Sequence, residues 1–172
     1  MSIGDNPELA LFLAHSTELE SEAGERYAEL ADVMEAHGNL PVAGFFRRME
    51  REAAQHLAEV SELAGDAPLP QLTAWEFDWP EAEPPETASY EAVHYRMSLR
   101  QAVELALANE QAAGAYYRGF ADNSGDDETV RVAALFAREE ASHAAELTRM
   151  LATLPENGAS LREEDDEPHM PE

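Results

Sequence analysis

Residues 110–117 read EQAAGAYY, and ninety positions earlier residues 20–27 read ESEAGERY. Glu, Ala, Gly and Tyr coincide in the two stretches. Ala31-Asp32 coincides with Ala121-Asp122 as well, so six of the fifteen positions from 18 to 32 are identical. A displacement of 87 places Arg51-Glu52 on Arg138-Glu139 and His56 on His143. Two alanine-rich helices resemble each other by composition alone, but composition does not explain Gly24 over Gly114. Each glycine is internal to a helical stretch, where it costs about 1 kcal/mol relative to alanine. A duplicated helical hairpin accounts for the coincidence.

Proline and glycine mark out the rest. The long proline-free stretches are rich in Ala, Leu, Glu and Arg, all good helix formers. The pattern predicts a first helix from about Pro7 to Ala36, with Asp5 or Asn6 as N-cap and a stop at His37-Gly38-Asn39. A second helix is predicted from about Val42 to Ala64, stopping at Gly65, a third from about Ser89 to Ala121 and a fourth from about Asp127 to Leu154. Between the second and third, residues 66–87 hold five prolines and cannot be helical. They read as a long crossover packed on the bundle through Trp75, Phe77 and Trp79. Apolar residues recur at helical spacing, as Phe45, Met49, Leu57 and Val60 in the second helix and Val132, Leu135, Phe136, Leu147 and Met150 in the fourth. The expected fold is therefore all-α: a four-helix bundle over residues 1–155 with one long connection. Residues 156–172 are strongly acidic and read as a disordered tail.

Charge and composition narrow the function. The 172 residues include 36 acids and 11 bases, every base an arginine, for a formal charge of −25. Nucleic acid is not an expected partner, because phosphate binding needs clustered basic residues. Anionic membranes repel such a chain, no apolar run approaches the length of a span, and the N-terminus lacks a basic-then-apolar signal, so a cytoplasmic location is expected. Cysteine is absent. A bound metal would be held by carboxylate and imidazole, a donor set suited to Fe, Mn or Zn.

Glu110 is the most informative acid. It is the only one between Leu105 and Ala121, and it shares a helical face with Val103, Ala106, Ala113 and Tyr117. A carboxylate on a core face needs a partner, which a metal ion, an arginine or a second acid can supply. The repeat places Glu20 equivalently, beside Leu13, Ala23 and Tyr27. The fourth helix adds Glu140 and His143, three residues apart and hence on one face. A Glu-x-x-His pair is common by chance in so acidic a chain; its place in the repeat gives it weight. Tyr27 and Tyr117 follow Glu20 and Glu110 by two turns, suited to packing or to a hydrogen bond with a carboxylate. His15, His37 and His94 lack a partner at motif spacing and read as surface or boundary residues, and His169 falls in the tail.

Glutamate seven residues before tyrosine on the first and third helices, with Glu-x-x-His on the fourth, resembles the ferritin-like superfamily, and most nearly its rubrerythrin-type di-iron domains, over residues 8 to 152. The resemblance implies Glu20 and Glu110 as terminal carboxylates, Glu140 as a bridging one, and His56 and His143 as imidazole ligands of two iron ions, with Mn or Zn as possible substitutes. The second helix departs from the pattern. Ala53 stands three residues before His56, where the family has its other bridging glutamate. Glu52, four before His56, either reaches the site through a small rotation or bulge or faces solvent like its counterpart Glu139. The additional family glutamate three residues beyond Glu110 is here Ala113, and no cysteines are present for a rubredoxin centre.

The resemblance implies reduction of hydrogen peroxide, or reaction of dioxygen with Fe(II), in oxidative-stress or iron handling. It also implies a homodimer fed by a separate electron-donor protein. Two other readings stand beside it: a ferritin-like iron-storage protein, and a metal-poor helical interaction module whose site degenerated at Ala53.

Overall fold

The computed structural model describes residues 3–72 and 95–156. Among them are four α-helices and no strand: α1 (Pro7–Ala36), α2 (Leu40–Ala64), α3 (Leu99–Asn123) and α4 (Asp127–Thr153), preceded by a 3-10 turn at Ile3–Asp5. Each helix starts where local chemistry stops the chain from fraying. Asn6 caps α1 by accepting the Leu9 N–H at 3.1 Å, with Pro7 in the first turn. Asp126 caps α4 by accepting both the N–H and the hydroxyl of Thr129 at 2.8 Å. At the end of α1, Gly38 takes φ +73° and the Asn39 N–H reaches back to the Met34 carbonyl at 2.8 Å. Only glycine enters that left-handed region cheaply, so the chain reverses there into α2.

The third helix begins later than the sequence pattern predicts. Ser98 and Gln101 form a reciprocal capping box, which fixes the start at Leu99. Tyr95 and Arg96 form a turn before it, despite helix-permissive composition. The predicted start at Ser89, the aromatics Trp75, Phe77 and Trp79, His94, and the tail beyond Glu156 with His169 lie outside the described residues.

Helices α1 and α2 pack as one antiparallel hairpin, and α3 and α4 as another. The hairpins are joined at both ends. At one end Asn6 Nδ2 donates to the Asp126 carboxylate at 2.8 Å and Ser124 Oγ donates to Glu8 at 2.6 Å. At the other, Asn39 Nδ2 donates to the Met97 carbonyl at 2.9 Å and the Tyr95 carbonyl at 3.1 Å. Between these ends the core falls into two apolar clusters. One gathers Tyr27, Met34, Phe46, Met49, Val103 and Leu147; the other gathers Phe12, Leu13, Leu19, Val60, Tyr117 and Phe136. Leu135, expected in the core, is exposed, and Leu57 and Met150 are only half-buried, because α4 and α2 present narrower apolar stripes than their composition suggests.

The two repeated glycines sit at the closest approach within each hairpin. A Cβ on Gly24 would stand 3.7 Å from the Ala53 Cβ, and one on Gly114 would stand 3.4 Å from the Glu140 Cβ. Ala53 and Glu140 are thus equivalent in space as well as in the repeat. The two glycines differ in what replacement does. Gly24→Ala meets ordinary contact and should raise the urea-unfolding free energy of the metal-free protein by about 0.5–1 kcal/mol. Gly114→Ala, set tighter against Glu140, should give a smaller gain or none.

Candidate metal centre

Between the two apolar clusters lies a polar layer. Each helix contributes to it from its inward face: Glu20 from α1, His56 from α2, Glu110 from α3, Glu140 and His143 from α4. The three carboxylates are among the most buried polar groups described, with 3% of Glu20, 4% of Glu110 and 2% of Glu140 exposed. His56 Nδ1 lies 3.4 Å from Glu20 Oε2 and 3.3 Å from Glu140 Oε1, and His143 Nδ1 lies 3.9 Å from Glu110 Oε2. The two imidazole rings stack, with centroids 4.7 Å apart and planes 14° from parallel.

Two overlapping groups can grip a cation. Ligand atoms of His56, Glu140 and His143 lie within 4.8 Å of one another, and so do those of Glu52, Glu110 and His143. Glu52 therefore turns toward the site while its carboxylate also accepts Arg48 Nε at 3.0 Å. Around Glu52 the helix α2 runs without interruption. Its counterpart Glu139, expected to face solvent, is half-buried between α2 and α4.

The protein atoms leave this layer incompletely satisfied. Glu20 Oε2, Glu110 Oε2 and His143 Nδ1 are buried and make no hydrogen bond among the described residues, and no arginine pairs with Glu20 or Glu110. Desolvated carboxylates without cations are costly, and a divalent ion bound by these oxygens and nitrogens would remove the cost. The donor set fits iron and its first-row neighbours. Burial raises the Glu110 carboxyl above the ordinary range, opposed by a hydrogen bond from Glu140 and by the nearby imidazoles. Burial lowers His56, but the adjoining Glu20 carboxylate overrides it, and the imidazole rises to about 9. Burial, with Glu59 beside it, raises Glu139.

Both tyrosines make hydrogen bonds across the hairpins, and Tyr117 reaches the layer itself. Tyr117 Oη on α3 donates to Glu20 Oε1 on α1 at 2.8 Å, and Asn109 Nδ2 on α3 donates to Tyr27 Oη at 3.2 Å. Spacing along one helix could not disclose these pairings, since each tyrosine serves the opposite repeat. His15, expected at the surface, is 3% exposed, with its ring 5.8 Å from Phe120 and 6.4 Å from Tyr116. His37 is exposed and stacks on Tyr95. Glu59 and Glu146 were not singled out by the sequence reading, yet with Glu52, Glu139 and the two histidines they line a cleft of about 230 Å³ at the edge of the layer. The 87-residue displacement that matches His56 with His143 also matches Glu59 with Glu146, and was the signal for them.

Removing the Tyr117 hydroxyl should leave a buried carboxylate oxygen without its donor. Tyr117→Phe is expected to cost the metal-free protein about 1–3 kcal/mol in denaturant unfolding. The pH dependence follows from His56 and Glu110. Both carry folded-state values above their unfolded ones, so both contribute stability that is lost on raising pH. For His56 the contribution is complete below about 6.5 and gone above about 9. The melting temperature of metal-free protein should therefore fall across that window, and His56→Gln should flatten the fall.

Residues 12–151 match the sequence pattern of the rubrerythrin family. An uncharacterized conserved protein from Magnetospirillum magnetotacticum MS-1, known from its crystal structure, is 40% identical with a TM-score of 0.67, covering 88% of this chain and 98% of its own. No curated protein matches the chain. Among the described residues no helix is long and apolar enough to cross a membrane. With its four helices, its long connection between α2 and α3 and its carboxylate–histidine layer, the chain belongs to the rubrerythrin family of ferritin-like proteins.

Proposed function

We propose that the chain is a non-haem di-iron carboxylate protein that reduces hydrogen peroxide or oxidises Fe(II). The observation that carries this reading is the pair of overlapping ligand groups, His56–Glu140–His143 and Glu52–Glu110–His143, set among buried oxygens that protein atoms leave unsatisfied. Glu20, His56 and Glu140 would hold one ion, and Glu110, His143 and Glu52 the other. Two Fe(II) ions held there would supply one electron each, together the two that cleaving the O–O bond of peroxide requires.

The surrounding residues prepare the site. Tyr117 fixes the orientation of Glu20 through its hydroxyl, as outer hydrogen bonds fix the ligands of metal sites in general. Phe12, Leu19, Val60 and Phe136 exclude water on one side of the layer, and Met49, Val103 and Leu147 on the other. His143 and Glu52 line the cleft of about 230 Å³ beside the layer, from which peroxide would approach. The 172 residues hold no cysteine for a rubredoxin centre, and a separate donor protein would return the electrons.

Anaerobic titration of metal-free protein with Fe(II), followed by peroxide, tests the proposal. Two irons per chain and ferric absorption on peroxide addition are expected; one iron or none overturns the di-iron reading and favours a centre degenerated at Ala53. Glu52 is tested by the same titration. Glu52→Gln should lower the occupancy from two ions toward one. Ala53→Glu in that background should restore it, because Ala53 occupies the place in its hairpin that Glu140 occupies in the other.

A further inference from the structure

We propose that Glu59 and Glu139 form a transfer site for divalent transition-metal cations, handing them from the open cleft to the buried carboxylates. The proposal rests on the metal-centre reading above and adds the route by which the centre is filled. Two spaces adjoin at the edge of the polar layer. The outer one is the cleft of about 230 Å³. The inner one, about 10 Å³, lies against Val60 and Phe136, with Glu20 and Glu140 among its walls. Such a volume admits one particle the size of water. Glu59, Glu139 and His56 line both spaces, so whatever passes between them passes these side chains.

Charge distinguishes the two ends of the cleft. The repeat brings four glutamates to it, Glu52 with its counterpart Glu139, and Glu59 with its counterpart Glu146. Arg48 bridges Glu52 and Glu146, at 3.0 and 3.5 Å, and compensates that end. Glu59 is met by the neutral Gln55 amide at 3.4 Å, and among the described residues no arginine pairs with Glu59 or Glu139. The pair without an arginine thus stands at the end that opens on the inner space, with the His56 imidazole beside it. Acidic side chains gathered on a surface are common without any ion bound. Here a separate observation points inward: Glu20, 3% exposed, walls the inner space and holds an oxygen with no hydrogen bond among the described residues, His56 Nδ1 standing 3.4 Å away. A cation drawn by Glu59 and Glu139 therefore has a place to go. Clefts lined by one sign of charge concentrate counter-ions and speed their arrival, an effect that salt weakens.

Loading of metal-free protein with Co(II) tests the route without reference to activity. The rate is read by stopped-flow absorbance, and the stoichiometry by equilibrium dialysis with metal analysis. Wild-type protein should take up two Co(II) per chain. The double variant Glu59→Gln/Glu139→Gln should reach the same stoichiometry about tenfold more slowly, and the deficit should shrink in concentrated salt. Glu146→Gln, at the compensated end, should load within about twofold of wild type. Circular dichroism checks that the variants fold; the single variants, each expected to be about threefold slow, serve if the double variant does not. An unchanged rate with full stoichiometry overturns the transfer site and leaves the metal centre standing. A variant that loses bound metal overturns it too, making Glu59 and Glu139 ligands. Wild-type protein that takes up no Co(II) overturns the metal-centre reading itself.

Discussion

Three carboxylates held out of water in the middle of a helical bundle set the terms for everything around them. Each would be expensive to desolvate alone, and they lie close enough for their charges to interact. The bundle meets this cost with groups of opposite character drawn from the facing helices: the imidazole of His56 between two carboxylates, the Tyr117 hydroxyl on a third oxygen, and the imidazole of His143 beside Glu110. These compensations are partial. The apolar clusters above and below supply the burial that holds the helices together, and so allow the middle layer to stay under-satisfied. A protein optimised for stability alone would fill this layer with leucine. Here it instead holds buried carboxylate and imidazole atoms that hydrogen bonds leave unsatisfied, a cost that a bound cation would lower.

The duplication gives the molecule an approximate twofold arrangement, and its departures are as informative as its matches. Gly24 against Ala53 and Gly114 against Glu140 show that the two hairpins cross in the same way, with alanine in one where the other has glutamate. Glu52, at the neighbouring position, has a ligand atom near those of Glu110 and His143. Arg48 pairs with Glu52 and Glu146, so the surface charge departs from the repeat as well.

The helices, their order and the inward glutamates were legible in the sequence because each rests on local rules: prolines and glycines at boundaries, helical spacing, and a repeat that fixes which residues correspond. The start of α3 was not. Ser98 and Gln101 cap each other, while the residues before them carry no proline to announce the break. The burial of His15 was missed for a related reason, since its aromatic neighbours Tyr116 and Phe120 come from another helix. Glu52 lay at the limit of what spacing can decide, because positions three and four before a residue share a helical face and differ only by a rotation that packing sets. The crossed pairings of Tyr117 with Glu20 and Asn109 with Tyr27 depend on how the hairpins dock, which the repeat cannot specify.

The hairpins are stitched to each other at their ends, through Asn6 and Asp126 on one side and through Asn39 and the Met97 carbonyl on the other. The register of all four helices is thus set far from the chemistry. With links at both ends, the register does not rest on the central layer alone, and a side chain there can differ between the hairpins without the helices sliding. Position 53 is such a place: alanine stands against Gly24 where the other hairpin sets Glu140 against Gly114, and the two hairpins still cross alike.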